Sequence, residues 1–269
     1  MRMADGYDYP AQLQADLNGQ FKVINAGVGG ETSATITSRA NAIGTFLAKD
    51  IVLEKGQSSI EFDGEFLYAA NGHDIEFKGF SKELPFNKLI IGDQTFDVLF
   101  HRGGVWEDVT YTLVRENTDL PLIIKKGASV SYDYSSLYEK NYCNVILIGA
   151  NDGYSGSIDL LIENYKKIAA KSDKNIYIIQ WNVTDEKRKA LKDAFGNQAL
   201  ETFDYMVNNA MEDYGMEPTK LDEWCVNKYI VPASFHLNND KSDVHLNELG
   251  YKVLADLVYK KGVELGYWK

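Results

Sequence analysis

Apolar positions along the chain recur at two periods, and the switch between them divides the sequence. From Tyr9 to Leu17 they fall at helical spacing, with Pro10 in the first turn, where a missing N–H costs nothing. Phe21-Lys22-Val23-Ile24-Asn25 is a short β-rich run broken by Gly27-Val28-Gly29-Gly30. It predicts a strand and a glycine turn. A helix is expected next, starting near Glu31-Thr32-Ser33, where hydroxyls can cap free N–H groups, and passing through Ile36, Arg39, Ala40 and Ile43.

From about Ala48 to Tyr138 the period shortens to two. Runs such as Ile51-Val52-Leu53, Ser59-Ile60-Glu61-Phe62 and Thr95 to Phe100 are separated by glycines and Asp or Asn residues, the pattern of an all-β sandwich or barrel. Asn144 to Gly149 is then continuously apolar, as for a strand covered on both faces of a parallel sheet. Helical spacing follows from Ile158 to Ala170, a strand at Asn175 to Gln180, one or two helices between Asp185 and Tyr214, and a last helix from near Asn247 with Leu249, Tyr251, Leu254, Leu257 and Val258 on one face. This order predicts an α/β fold: a doubly wound, flavodoxin-like parallel sheet formed by residues 1–45 and 139–269, interrupted by an inserted all-β domain, a sandwich or barrel, at 46–138.

Composition narrows the function classes. The net charge of −11, from 28 basic against 39 acidic residues, repels phosphate backbones, so nucleic acid is not an expected partner. No apolar run approaches the roughly 20 residues of a membrane span, and the N-terminus lacks a basic start and apolar core, so no span is expected, a secretion signal is expected to be absent or removed upstream, and the compartment, secreted or cytoplasmic, stays open. Cys143 and Cys225 are expected to be free buried thiols. The histidines His73, His101, His236 and His245 lack the close spacing of a zinc site, so no metal or other cofactor is expected.

Three segments stand at the ends of predicted strands or before the last helix, where open α/β sheets place ligands. Asn25 to Ser33 offers backbone N–H groups at a glycine turn, suited to an anion or oxyanion. Gly149-Ala150-Asn151-Asp152-Gly153 offers a side-chain amide donor, although an ordinary Asx turn has the same sequence. Ser242-Asp243-Val244-His245-Leu246-Asn247 sets an imidazole, a candidate general base, beside a carboxylate. Arg39, and Arg102 in His101-Arg102-Gly103-Gly104, are candidate substrate contacts, with solvated charge as the simpler reading.

In this order, the three segments resemble the conserved blocks of the SGNH hydrolases, the GDSL-type esterases and lipases, over about residues 7–44 and 139–269. The resemblance implies that Gly30 and Asn151 form an oxyanion hole and that His245 is the base of a serine esterase. Two departures follow. No Gly-Asp-Ser occurs in the chain, so the family's nucleophile would lie upstream of Met1, as in a chain truncated inside its first block. The family's triad Asp stands three residues before His, whereas Asp243 stands two before His245. Asp243, Asp240 or a backbone carbonyl could therefore orient the ring. The implied activity is carboxylic ester hydrolysis, such as removal of acetyl groups from a carbohydrate, with a small-molecule or glycan ester as partner. The alternative is a non-catalytic carbohydrate- or protein-binding module on a degenerate esterase scaffold.

Overall fold

The computed structural model describes residues 8–63, 65–72, 74–75, 88–102, 109–133, 141–152 and 157–269. The chain divides into two compact units, one of Met1–Gly27, Cys143–Leu147 and Lys174–Lys269, the other of Val28–Tyr142 and Ile148–Asp173.

The second unit is dominated by antiparallel strands: β1 (Thr45–Leu47), β2 (Ile51–Leu53), β3 (Ser59–Asp63), β4 (Leu67–Ala69), β5 (Asp74–Ile75), β6 (Lys88–Ile91), β7 (Gln94–Arg102), β8 (Val109–Val114), β9 (Leu122–Ile124) and β10 (Ser129–Tyr132). Eight of them form one sheet in the order β3-β8-β7-β6-β10-β1-β4-β5, and β2 pairs with β9. Period-two alternation decides what is buried: Leu89 and Ile91, Phe96 and Val98, and Tyr111 and Leu113 enter one core together with Leu47, Leu67 and Val130. The turn between β6 and β7 sits on Gly92, whose φ of +64° disfavours any side chain. Among the described residues this unit also holds two helices, α2 (Ser33–Arg39), capped by Thr32, and α3 (Ile158–Ala169), capped by Ser157.

The first unit is built around β11 (Asn144–Ile146), β12 (Asn175–Ile179) and β13 (Ala199–Glu201), paired in parallel in that order. All five residues of β12 are buried, as expected for a central strand covered on both faces. The helices are α1 (Tyr9–Asp16), α4 (Asp185–Phe195), α5 (Phe203–Asn208), α6 (Ala210–Asp213), α7 (Lys220–Asn227) and α8 (Glu248–Glu264). Leu13, in the middle of α1, and Leu17, just after its end, join Val253, Leu254, Leu257 and Val258 of α8 in the core. Among the described residues, no helix is long and apolar enough to cross a membrane.

The expected doubly wound parallel sheet is not what forms. Among the described residues, parallel pairing is confined to three short strands whose spatial order follows chain order, with no reversal of winding, and the larger sheet is antiparallel. One cause is local. Phe21 to Asn25 is not a strand, because the Gln14 side chain takes the backbone groups a sheet neighbour would use: its Nε2 donates to Phe21 O (2.8 Å) and its Oε1 accepts from Val23 N (2.7 Å). The helix expected to reach Ile43 ends at Arg39, and the helical stretch expected from Asp185 to Tyr214 is interrupted by β13.

The start of α8 is sterically exacting. A Cβ on Gly250 would stand 2.5 Å from the Phe235 carbonyl oxygen, which is backbone and cannot swing aside. Gly250→Ala is therefore expected to lower unfolding stability by about 1–3 kcal/mol, read from the urea midpoint, although alanine is the better helix former by about 1 kcal/mol. A stabilised variant would show that Phe235 and α8 are not in close contact.

Candidate active site

In the first unit the chain between Phe235 and Asn247 forms a closed loop. His236 and Leu246 make an antiparallel bridge, with Leu237 N donating to His245 O and Asn247 N to Phe235 O, both at 2.9 Å. The Asn247 side chain completes the closure. Its Nδ2 donates to Ser234 O (2.7 Å) and His236 O (3.1 Å), while its Oδ1 accepts from Gly250 N (3.0 Å) and caps α8. Trp181 Nε1, following β12, donates to Val244 O at 3.2 Å and anchors the loop's far side.

Within this loop Asp243 and His245 meet. Asp243 Oδ1 lies 2.6 Å from His245 Nδ1 and also accepts from the His245 backbone N–H at 2.9 Å. A carboxylate two residues before the histidine can therefore orient the ring, because it bonds to the backbone and the side chain of the same residue. Asp240 is engaged otherwise, accepting from Ser242 N (2.9 Å) and Ser242 Oγ (2.7 Å). The backbone N–H of His245, then its imidazole, hold the Asp243 carboxyl below its ordinary range. An ionised carboxylate only accepts, so Nδ1 of a neutral His245 carries the proton and Nε2 is left with a lone pair. With the His245 side chain 54 % exposed, that ring is accessible to a reactant.

His236 is the residue that sequence reasoning passed over. It is 4 % exposed, neither ring nitrogen has a hydrogen-bond partner among the described residues, and burial pushes its pKa below the ordinary value. Only its spacing against zinc ligands was legible beforehand.

The second unit holds the other segments. Gly30 is exposed with φ of +82°, which accounts for a glycine there. Asn151 Nδ2 donates to Glu31 O (3.0 Å), and Asp152 Oδ1 accepts from Ser33 N (2.6 Å) at the first turn of α2. The Asn151-Asp152 turn is thus fastened beside Gly30, and among the described residues one amide hydrogen of Asn151 is used, by Glu31 O. Gly149, with φ of +94°, sets the turn close under α3, where an added Cβ would meet Leu161 Cδ1 at 2.7 Å. Arg39 is not presented to a substrate. It is 2 % exposed and grips Glu31 through two of its three guanidinium nitrogens, Nε to Oε1 at 2.7 Å and Nη2 to Oε2 at 2.6 Å. Arg102 ends β7, and its side chain, like Gly153, lies outside the described residues.

Compared with known proteins, the chain matches no family model, no curated protein and no solved structure.

The environment of His236 sets a pH dependence. Because its folded pKa is depressed, the unfolded chain binds the extra proton first, so stability is complete above about pH 6.5 and declines as pH falls below it. Urea midpoints at pH 7.5 and 5.5 should show this loss, and His236→Leu should reduce the difference between them. An unchanged pH slope in the variant would place the titrating group elsewhere.

Proposed function

We propose that this chain is part of an SGNH-type carboxylic ester hydrolase acting on acyl esters of small alcohols or carbohydrates. The observation that carries this reading is the Asp243–His245 pair, with Oδ1 to Nδ1 at 2.6 Å and the imidazole exposed. In the proposed cycle a serine hydroxyl attacks the ester carbonyl while His245 Nε2 takes its proton. Asp243 stabilises the resulting imidazolium, and collapse of the tetrahedral intermediate returns the proton to the departing alcohol. Water then repeats the sequence on the acyl-enzyme. Gly30 N–H and the Asn151 amide are the assigned oxyanion donors. No Gly-Asp-Ser occurs in the sequence, so the proposed cycle assigns its serine to no residue among these 269.

The test is hydrolysis of p-nitrophenyl acetate by the gene product read from its in-frame upstream sequence. Activity is expected, with His245→Ala removing nearly all of it and Asn151→Ala lowering kcat about 10²- to 10³-fold. Hydrolysis that survives His245→Ala would overturn the assignment of the base. An upstream sequence without a serine, together with no turnover, would overturn the esterase reading in favour of a binding scaffold.

A further inference from the structure

A cavity of about 460 Å³ opens in the first unit where the segments 181–188, 228–231 and 236–244 converge, a size suited to a small organic ligand. Its lining includes Asp243, so it adjoins the base pair. Trp181, Phe203 and Tyr229 contribute aromatic rings to its wall. Trp181 is buried and bonded to Val244 O, and Phe203 and Tyr229 meet edge to face with ring centroids 5.1 Å apart.

Tyr229 is held in an unfavourable conformation. Its φ is +54°, just past the end of α7, a position that glycine normally fills. The side chain is kept there by its hydroxyl, which donates to Asp204, and by the Phe203 ring. A non-glycine residue in this region costs on the order of 1–3 kcal/mol, and such strain concentrates at ligand clamps. Glycine would relieve the backbone and remove a wall of the cavity.

The charged groups on the cavity are unlike the rest of this acidic chain. Arg188 lies over the Phe203 ring, 3.9 Å from its centroid, and pairs with Asp185, and Asp243 is committed to His245. Lys228 and Lys241 remain exposed on the lining, and neither makes an ion pair among the described residues. Lys241 Nζ is positioned 4.8 Å from the Trp224 ring centroid. Arg188, Lys228 and Lys241 against Asp185 and Asp243 leave the lining one positive charge in excess, in a chain whose net charge is −11.

We propose that this cavity binds an organic carboxylate with a flat apolar body, the ring against Tyr229 and Phe203 and the carboxylate at Lys228 and Lys241. This deepens the esterase reading and rests on it for the cavity's role: the bound group is the unreactive part of the ester, so the preferred substrates carry a negative charge.

The binding itself is tested without turnover. On the full chain, 2-naphthoate and its neutral isostere 2-naphthamide are titrated by isothermal calorimetry at low and high salt. The carboxylate is expected to bind about five-fold tighter at low salt, the value of roughly 1 kcal/mol of partly exposed charge pairing, with the advantage shrinking as salt rises. Lys228→Met combined with Lys241→Met should abolish the preference while naphthamide binding is retained, and Tyr229→Gly should weaken both ligands alike. Equal affinity for the two ligands, no binding of either, or a preference that survives loss of both lysines would overturn the proposal. Naphthoate binding without ester turnover in the upstream-extended product would sink the esterase reading and leave the cavity standing. Turnover without naphthoate binding would do the reverse.

Discussion

One side-chain amide fixes the geometry on which the base pair depends. Asn247 spends its Nδ2 on the carbonyls of Ser234 and His236 and its Oδ1 on Gly250 N, so a single residue closes a loop at its mouth and starts the following helix. A helix N-cap of this kind is worth about 1 kcal/mol. The added carbonyl bonds give it a second task. They bring the chain at Ser234 to His236 against the start of α8, and Gly250 permits the approach because a Cβ there would strike Phe235 O. With both loop ends held, Asp243 and His245 need only local bonds to find each other.

Short Asx side chains do comparable work in the other unit. Asp152 Oδ1 takes the N–H of Ser33, which has no partner within α2, and Asn151 Nδ2 takes the carbonyl of Glu31. Behind this turn the Glu31–Arg39 pair is almost completely removed from water, with side-chain exposures of 1 % and 2 %. Burial makes such a pair expensive to break, since either partner alone would be an uncompensated charge. Glu31 therefore cannot drift, and the turn bonded to its carbonyl inherits that fixity.

The antiparallel strands were legible because alternation is a local signal: Leu89 and Ile91 or Phe96 and Val98 declare their buried face within four residues. The parallel sheet was less so. Phe21 to Asn25 has strand composition, yet Gln14 intercepts its backbone groups, and Ala199-Leu200-Glu201 is too short to announce a strand. In the candidate site, the residue types of Asp243 and His245 pointed to the chemistry, while the feasibility of a two-residue spacing required the bifurcated contact at Oδ1. Arg39 was misleading for a general reason: an arginine on a polar helix gives no sign in sequence of a buried carboxylate eight residues earlier. The aromatic cavity was invisible because its lining comes from separated segments, and no spacing rule joins Trp181, Tyr229 and Lys241.

His236 and His245 lie nine residues apart and have opposite environments, and the contrast bears on the chemistry. Desolvation keeps His236 neutral near pH 7. Were it cationic, its charge would compete with His245 for the Asp243 carboxylate. Kept neutral, it leaves that carboxylate to the exposed ring of His245, whose Nδ1 proton Asp243 holds. A carboxylate facing one neutral buried imidazole and one exposed imidazole directs its stabilisation to the exposed ring, the asymmetry that the proposed role of His245 as a general base needs.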